Sequence, residues 1–141
     1  MTVDQIDRVD PELLPLLQAD DAPPLPITRE TLNQVRARSA QRVATRPVYG
    51  TTQPQLETIT TPDGDLDLYI FEPHPTPSPK PCLIWLHGGG YIMGQAKDMW
   101  NGPLFSERTG CTVVSVEYRL APEHPFPAGL HDAFAALNWV H

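Results

Sequence analysis

Residues Cys82-Leu83-Ile84-Trp85-Leu86 run without a polar interruption into His87-Gly88-Gly89-Gly90. Five apolar residues bounded by proline and glycine predict a short buried strand. Three consecutive glycines cannot continue it, so the segment 88–94 predicts a loop at the strand's C-terminal end. A second continuous apolar run, Cys111 to Val116, predicts another strand. Between the two, Asn101 to Thr109 predicts a helix, with Gly102-Pro103 near its start and Gly110 just past its end. Strand, helix, strand in this order predicts a right-handed βαβ unit with parallel strands, which sets the class as α/β.

Upstream, residues 55–72 predict a β-hairpin. Leu56, Thr58 and Thr60 alternate with Glu57, Ile59 and Thr61, and Leu66, Leu68 and Ile70 alternate with Asp67, Tyr69 and Phe71. Pro62-Asp63-Gly64-Asp65 supplies the turn, proline setting φ and glycine allowing it to be positive. From Pro73 to Pro81 every second residue is proline, which excludes helix and central strand and predicts a stiff extended connection. The chain has 17 prolines, where about seven would be average for its length, and they cluster at such joints. Residues 1–45 predict a helical segment separate from a core over 46–141. Asp10-Pro11-Glu12 has an N-cap, a proline at the first position and an acid in the first turn, ahead of Leu13, Leu14, Leu16 and Leu17. Residues 20–26 predict a proline-rich break. Thr28 then caps a second helix with Leu32, Val35, Ser39 and Val43 on one face and Arg29, Arg36, Arg38 and Arg42 elsewhere. Tyr118 to Pro127 predicts an irregular loop. Asp132 to Val140 predicts a helix with Phe134, Leu137 and Val140 on its apolar side.

Composition narrows the function classes. A length of 141 residues with 40% apolar content suits one globular core. The net charge of −7 carries no basic stripe, so no nucleic-acid partner is expected. Met1 to Asp10 lacks the apolar core of a secretion signal, and no apolar run reaches the length of a membrane span, so the expected location is cytoplasmic. Cys82 and Cys111 are expected to be buried free thiols. No metal is expected, since no Cys or His pair has ligand spacing.

The glycine loop carries chemistry. Ester hydrolysis puts negative charge on the carbonyl oxygen in the transition state, and preorganised backbone N–H groups stabilise it. Glycine lets the backbone come close to a substrate. The end of a parallel strand is where open α/β sheets place ligands. A phosphate-binding loop would need Gly-x-x-x-x-Gly-Lys-Ser/Thr or Gly-x-Gly-x-x-Gly, and Gly90-Tyr91-Ile92-Met93-Gly94 satisfies neither.

His87-Gly88-Gly89-Gly90-Tyr91 followed by Val116-Glu117-Tyr118-Arg119-Leu120-Ala121-Pro122-Glu123-His124-Pro125-Phe126-Pro127-Ala128 resembles the hormone-sensitive-lipase-like carboxylesterases. The resemblance covers about residues 55–141 firmly and the first helices loosely. It implies the N-terminal half of an α/β-hydrolase sheet, a β-hairpin plus a parallel βαβ unit, preceded by cap-type helices. It implies that Gly88, Gly89 and Gly90 form an oxyanion hole. Gly89 and Gly90 would donate amides, Gly88 would shape the turn, His87 would brace the loop and Tyr91 would pack beside the acyl pocket. It implies a small or medium acyl ester as substrate and no cofactor. Tyr118–Ala128 is then architectural, with an Arg119–Glu123 ion pair and with Ala121-Pro122 and Phe126-Pro127 as candidate cis peptides.

The sequence departs from the family at the nucleophile. Gly-x-Ser-x-Gly does not occur in residues 1–141, and the family's acid and histidine follow that serine. Ser39 and Ser106 are expected in helices, Ser78 in the proline connection and Ser115 in a strand. His124, His131 and Asp132 precede the missing turn; His131 and Asp132 are expected as a helix cap or on a solvated face. Two expectations follow. The chain is the N-terminal portion of an esterase and is inactive alone, with an open apolar strand edge over Leu83–Leu86 that invites self-association. Alternatively, it is a non-catalytic ligand-binding or interaction module of the same fold.

Overall fold

The computed structural model describes residues 8–15, 25–73 and 79–141. They form helix α1 (Leu32–Ala44), strands β1 (Gln55–Thr61), β2 (Gly64–Phe71) and β3 (Cys82–Leu86), helix α2 (Gly102–Thr109), strand β4 (Thr112–Val116) and helix α3 (Ala128–Val140). Short 3-10 turns lie at Pro11–Leu13 and Ala96–Asp98. The chain divides into two compact units, Met1–Val35 and Arg36–His141, and the boundary falls inside α1.

In the first unit the Asp10 carboxylate accepts from Glu12 N at 2.9 Å, as an N-cap should, and a 3-10 turn follows. Leu16, Leu17 and most of the expected proline-rich break lie outside the described residues. Thr28 caps as its position predicts, its Oγ1 accepting from Thr31 N at 3.3 Å.

The second unit is built on a four-stranded sheet of order β1-β2-β4-β3. β1 and β2 form the hairpin, closed by Pro62-Asp63 with Thr61 opposite Gly64. Gly64 has φ +122, which glycine tolerates and other residues avoid. β2 pairs antiparallel with β4, and β3 pairs parallel with β4 from Cys82↔Thr112 to Leu86↔Val116. The helix between them, α2, stops where expected, at Gly110 in the left-handed conformation.

β4 is buried along its whole length. Successive side chains of a strand point to opposite faces, and the core divides accordingly. Val114 and Val116 join Leu66, Leu68, Tyr118 and Ala136 of α3 on one face. Val113 joins Phe71 and Met99 on the other. α2 lies on that second side, where Ser106 Oγ donates to Phe71 O at 3.1 Å. Each fully buried aliphatic side chain contributes about 1.5–3 kcal/mol, so this central strip holds the unit together.

Four expectations are corrected. β3 is not buried: Trp85 is 39% and Leu86 49% exposed, because among the described strands β3 has β4 on one side only. The thiols are likewise not buried, Cys82 being exposed and Cys111 half-buried. α3 begins at Ala128, four residues earlier than expected, with His131 N already bonded to Pro127 O. Its packed side is also different. Phe134 and Leu137 are 60% and 50% exposed, while Asp132 and Ala136 are buried. The helix is rotated by the pairing of Asp132 with Arg119 and by Gly129, where an added Cβ would sit only 3.0 Å from Arg119 O. No helix among the described residues is long and apolar enough to cross a membrane.

Candidate active site

β3 delivers its chain directly into the glycine loop. His87 is buried and its ring stacks on Tyr118, centroids 4.2 Å apart and planes 15° apart. The Tyr118 hydroxyl donates to His87 O at 2.6 Å. His87 Nδ1 lies 2.9 Å from Gly88 O. A carbonyl oxygen only accepts, so Nδ1 carries the hydrogen. Among the described residues nothing pairs with the buried Nε2.

These contacts orient two peptide planes. In a trans peptide the C=O and the following N–H point in opposite directions. Gly88 O is turned inward to His87, so the Gly89 N–H faces the other way. Gly89 O accepts from Ile92 N and Met93 N, both at 3.2 Å, so the Gly90 N–H also faces away from the loop's own interior. Neither amide donates to an acceptor among the described residues. The path needs glycine. Gly89 has φ +132, and a Cβ there would sit 1.9 Å from Met93 O. Among the described residues Tyr91, at φ +63, is the positive-φ residue that is not glycine. Such a conformation costs about 1–3 kcal/mol and persists where the surroundings over-determine it. Here Ala121 N holds Tyr91 O at 2.9 Å, and the tyrosine side chain is 76% exposed.

A cavity of about 630 Å³ opens in front of the loop, lined by His87, the three glycines, Tyr91, Phe126 and Leu130 among others. Behind the loop a second cavity of about 380 Å³ is lined by Arg36, Ser39, Asp98, Glu117 and Glu123 among others. Burial raises the Asp98 carboxyl above its ordinary value, opposed by Lys97, His87 and Arg46.

The Tyr118–Ala128 segment braces this arrangement with pairings other than the expected one. Arg119 does not meet Glu123. Its backbone N and guanidinium engage Asp132 at 2.8–3.1 Å, and its Nη2 also reaches Asp63 at 3.2 Å. Asp132 is therefore neither a cap nor solvated; helix α3 turns it inward. Glu123 instead takes Arg36 at 2.7 and 2.8 Å. Arg36 is one of the arginines expected away from the Leu32–Val43 face of α1. Ala121-Pro122 and Phe126-Pro127 are both cis, as the resemblance implies. His131 lies beside Asp63 at 3.5 Å. Ser39 is in α1; Ser106 and Ser115 are fully buried and donate to backbone carbonyls. Ser78 lies outside the described residues. Among the described residues no three His, Cys, Asp or Glu side chains gather as metal ligands would.

Sequence reasoning placed Gly94 in the loop without giving it a role, and gave none to Arg36 of α1. A Cβ on Gly94 would meet His87 Nδ1 at 2.3 Å and Gly88 O at 2.4 Å. A glycine spaced from the glycine triplet within one loop was the only available signal. For Arg36 there was none, because its partners lie 56 to 87 residues away.

Residues 83–141 match the α/β-hydrolase fold family. The chain is 34% identical to esterase LipI of Mycobacterium tuberculosis (strain ATCC 25618 / H37Rv), over 99% of the chain and 43% of that protein. Its structure is similar to that of a bacterial heroin esterase, with a TM-score of 0.80 and 29% identity, covering 97% of the chain and 44% of the other. Esterase LipW of Mycobacterium marinum gives 0.75 and 33%, with 96% and 43% covered. The chain thus spans less than half the length of these relatives. Loop, fold and relatives together give the chain the α/β-hydrolase fold and a likeness to the hormone-sensitive-lipase-like esterase family.

Proposed function

We propose that residues 1–141 supply the oxyanion-stabilising part of a carboxylic ester hydrolase acting on small to medium acyl esters. Gly88, Gly89 and Gly90 form the oxyanion hole, His87 braces it, and Tyr91 sits beside the acyl pocket. The observation that supports this most is the pair of peptide planes at Gly88–Gly89 and Gly89–Gly90, whose carbonyls are tied inward and whose amides are unused among the described residues. Donors held in advance spend nothing on reorganisation when charge develops, and one such donor is worth about 10²–10³ in kcat. The helical segment 1–45 acts as cap and 46–141 as core. The location is cytoplasmic, and no cofactor enters the chemistry.

Residues 1–141 hold no Gly-x-Ser-x-Gly turn, so by themselves they hydrolyse esters negligibly. Labelling of a serine in this chain by a fluorophosphonate would sink that statement. Reading the coding sequence past His141 in all three frames should reveal the serine turn. In a polypeptide carrying it, Gly89→Ala should lower kcat on p-nitrophenyl butyrate by about 10²–10³ with KM changed little; an unchanged kcat would remove the oxyanion role.

A second reading rests on the open side of β3. Its exposed Trp85 and Leu86 offer an apolar edge for strand addition, by another copy or another chain. A stable soluble monomer without any serine turn downstream would favour a ligand-binding module over either.

A further inference from the structure

Arg36 reaches two segments far from it in sequence. Its Nε donates to Ile92 O at 2.7 Å and its Nη2 to Ala121 O at 2.9 Å. Nη1 and Nη2 clasp the Glu123 carboxylate at 2.7 and 2.8 Å. Four of the guanidinium's five N–H donors are engaged, each in its own direction. A lysine ammonium could not reproduce this fork.

The two carbonyls are not arbitrary. Ile92 N closes the oxyanion loop on Gly89 O, and Ala121 N holds Tyr91 O. Gly89 O belongs to the same peptide as the Gly90 amide, so whatever fixes Ile92 also fixes where that amide points. Tyr91 is in the strained left-handed region and needs holding from both sides. Ala121 supplies one side and, through Ile92 O, Arg36 supplies the other. Glu123 orients the guanidinium for both tasks and balances its charge.

We infer that Arg36 is a positioning residue for the oxyanion loop, fixing the Tyr91–Ile92 turn through Ile92 O and Ala121 O so that the Gly90 amide keeps its aim. The inference rests on the oxyanion reading above. A displacement of about 1 Å at such a donor is enough to cost about 10²-fold in rate.

Hydrogen exchange read by mass spectrometry tests this without any catalysis. Arg36→Met should speed exchange of the Ile92 and Met93 amides by about tenfold or more, while amides of β2 and β4 keep their rates. Unchanged exchange at Ile92 and Met93, or an equal rise across β2 and β4, would overturn it. Should that variant not fold, Arg36→Lys is read in the same way, since it keeps the charge and loses the fork. In a polypeptide bearing the serine turn, Arg36→Met should lower kcat about tenfold or more with KM within about twofold. Faster exchange with unchanged kcat would overturn the proposal, and an unchanged kcat for Gly89→Ala as well would place the failure in the oxyanion reading beneath it. Unchanged exchange, with Gly89→Ala still lowering kcat, would overturn the Arg36 role alone and leave that reading in place.

Discussion

Two arginine forks brace the segment after β4, and they differ in what they grip. Arg119 grips Asp132, 13 residues away, whose side chain is 4% exposed. Arg36 grips Glu123, 87 residues away, whose side chain is 52% exposed. The two arginine side chains are alike, at 27% and 25% exposure, so burial of the carboxylate is the variable. A buried carboxylate has lost its water and depends on its partner. An exposed one can exchange its partner for solvent at little cost. The first fork therefore holds the fold, tying α3 to the end of β4. The second holds a conformation, that of the loop in front of the cavity.

The largest expected effect follows from the first fork. Asp132→Ala would strip the Arg119 backbone N and guanidinium of their acceptor and lower stability by about 2–3 kcal/mol. Urea denaturation should show this as a fall in midpoint at constant slope. A loss equal to or smaller than that of Glu123→Gln in the same titration would break the distinction between the forks.

The asymmetry also explains what the sequence made legible. The βαβ unit, the hairpin turn at Pro62-Asp63, the Gly110 stop and the glycine loop are all local signals, each written within a few consecutive residues. The forks are not. Arg119 and Glu123 sit four apart in one motif and look like partners, yet each is claimed by a residue from elsewhere. Asp132 opens a predicted helix and reads as solvated until that helix is docked on the sheet. The expected apolar side of α3 failed for the same reason. Phe134 and Leu137 were hydrophobic enough to define a face, but one buried ion pair and the close approach at Gly129 set the rotation. β3 misled in the opposite way: its composition is that of a buried strand, and its exposure depends on how many neighbours the sheet provides.

Salt separates the forks next. An exposed ion pair is screened over about 8–10 Å at physiological ionic strength and more at higher salt, whereas a buried one is screened much less. Raising NaCl to about 1 M should shrink the stability difference between the unmodified chain and Glu123→Gln, and should leave the difference for Asp132→Ala nearly unchanged. Equal salt sensitivity of the two differences would mean that burial is not what distinguishes them.

The smallest effect is the pH dependence of the exposed carboxylates, and a third site sharpens it. Arg36 holds the Glu123 carboxyl down to about 2, from an ordinary 4.5. Glu107 is also held down to about 2, but by neutral donors: its Oε1 accepts from the backbone N and hydroxyl of both Thr51 and Thr52 at 2.7–3.0 Å. With the folded value depressed, the unfolded chain takes up a proton first as pH falls. Each carboxylate then contributes its full stability above about pH 4.5 and loses it progressively toward pH 2. Thermal melts should show the deficits of Glu123→Gln and Glu107→Gln fading over that same window. Added salt should shrink the first, which is an ion pair, and not the second, which is a set of dipoles fixed by the backbone. A Glu123 deficit that persisted at pH 2, or that ignored salt as Glu107's should, would show its partnership with Arg36 to be steric packing instead of charge. The loop would then owe its position to the shape of the guanidinium alone.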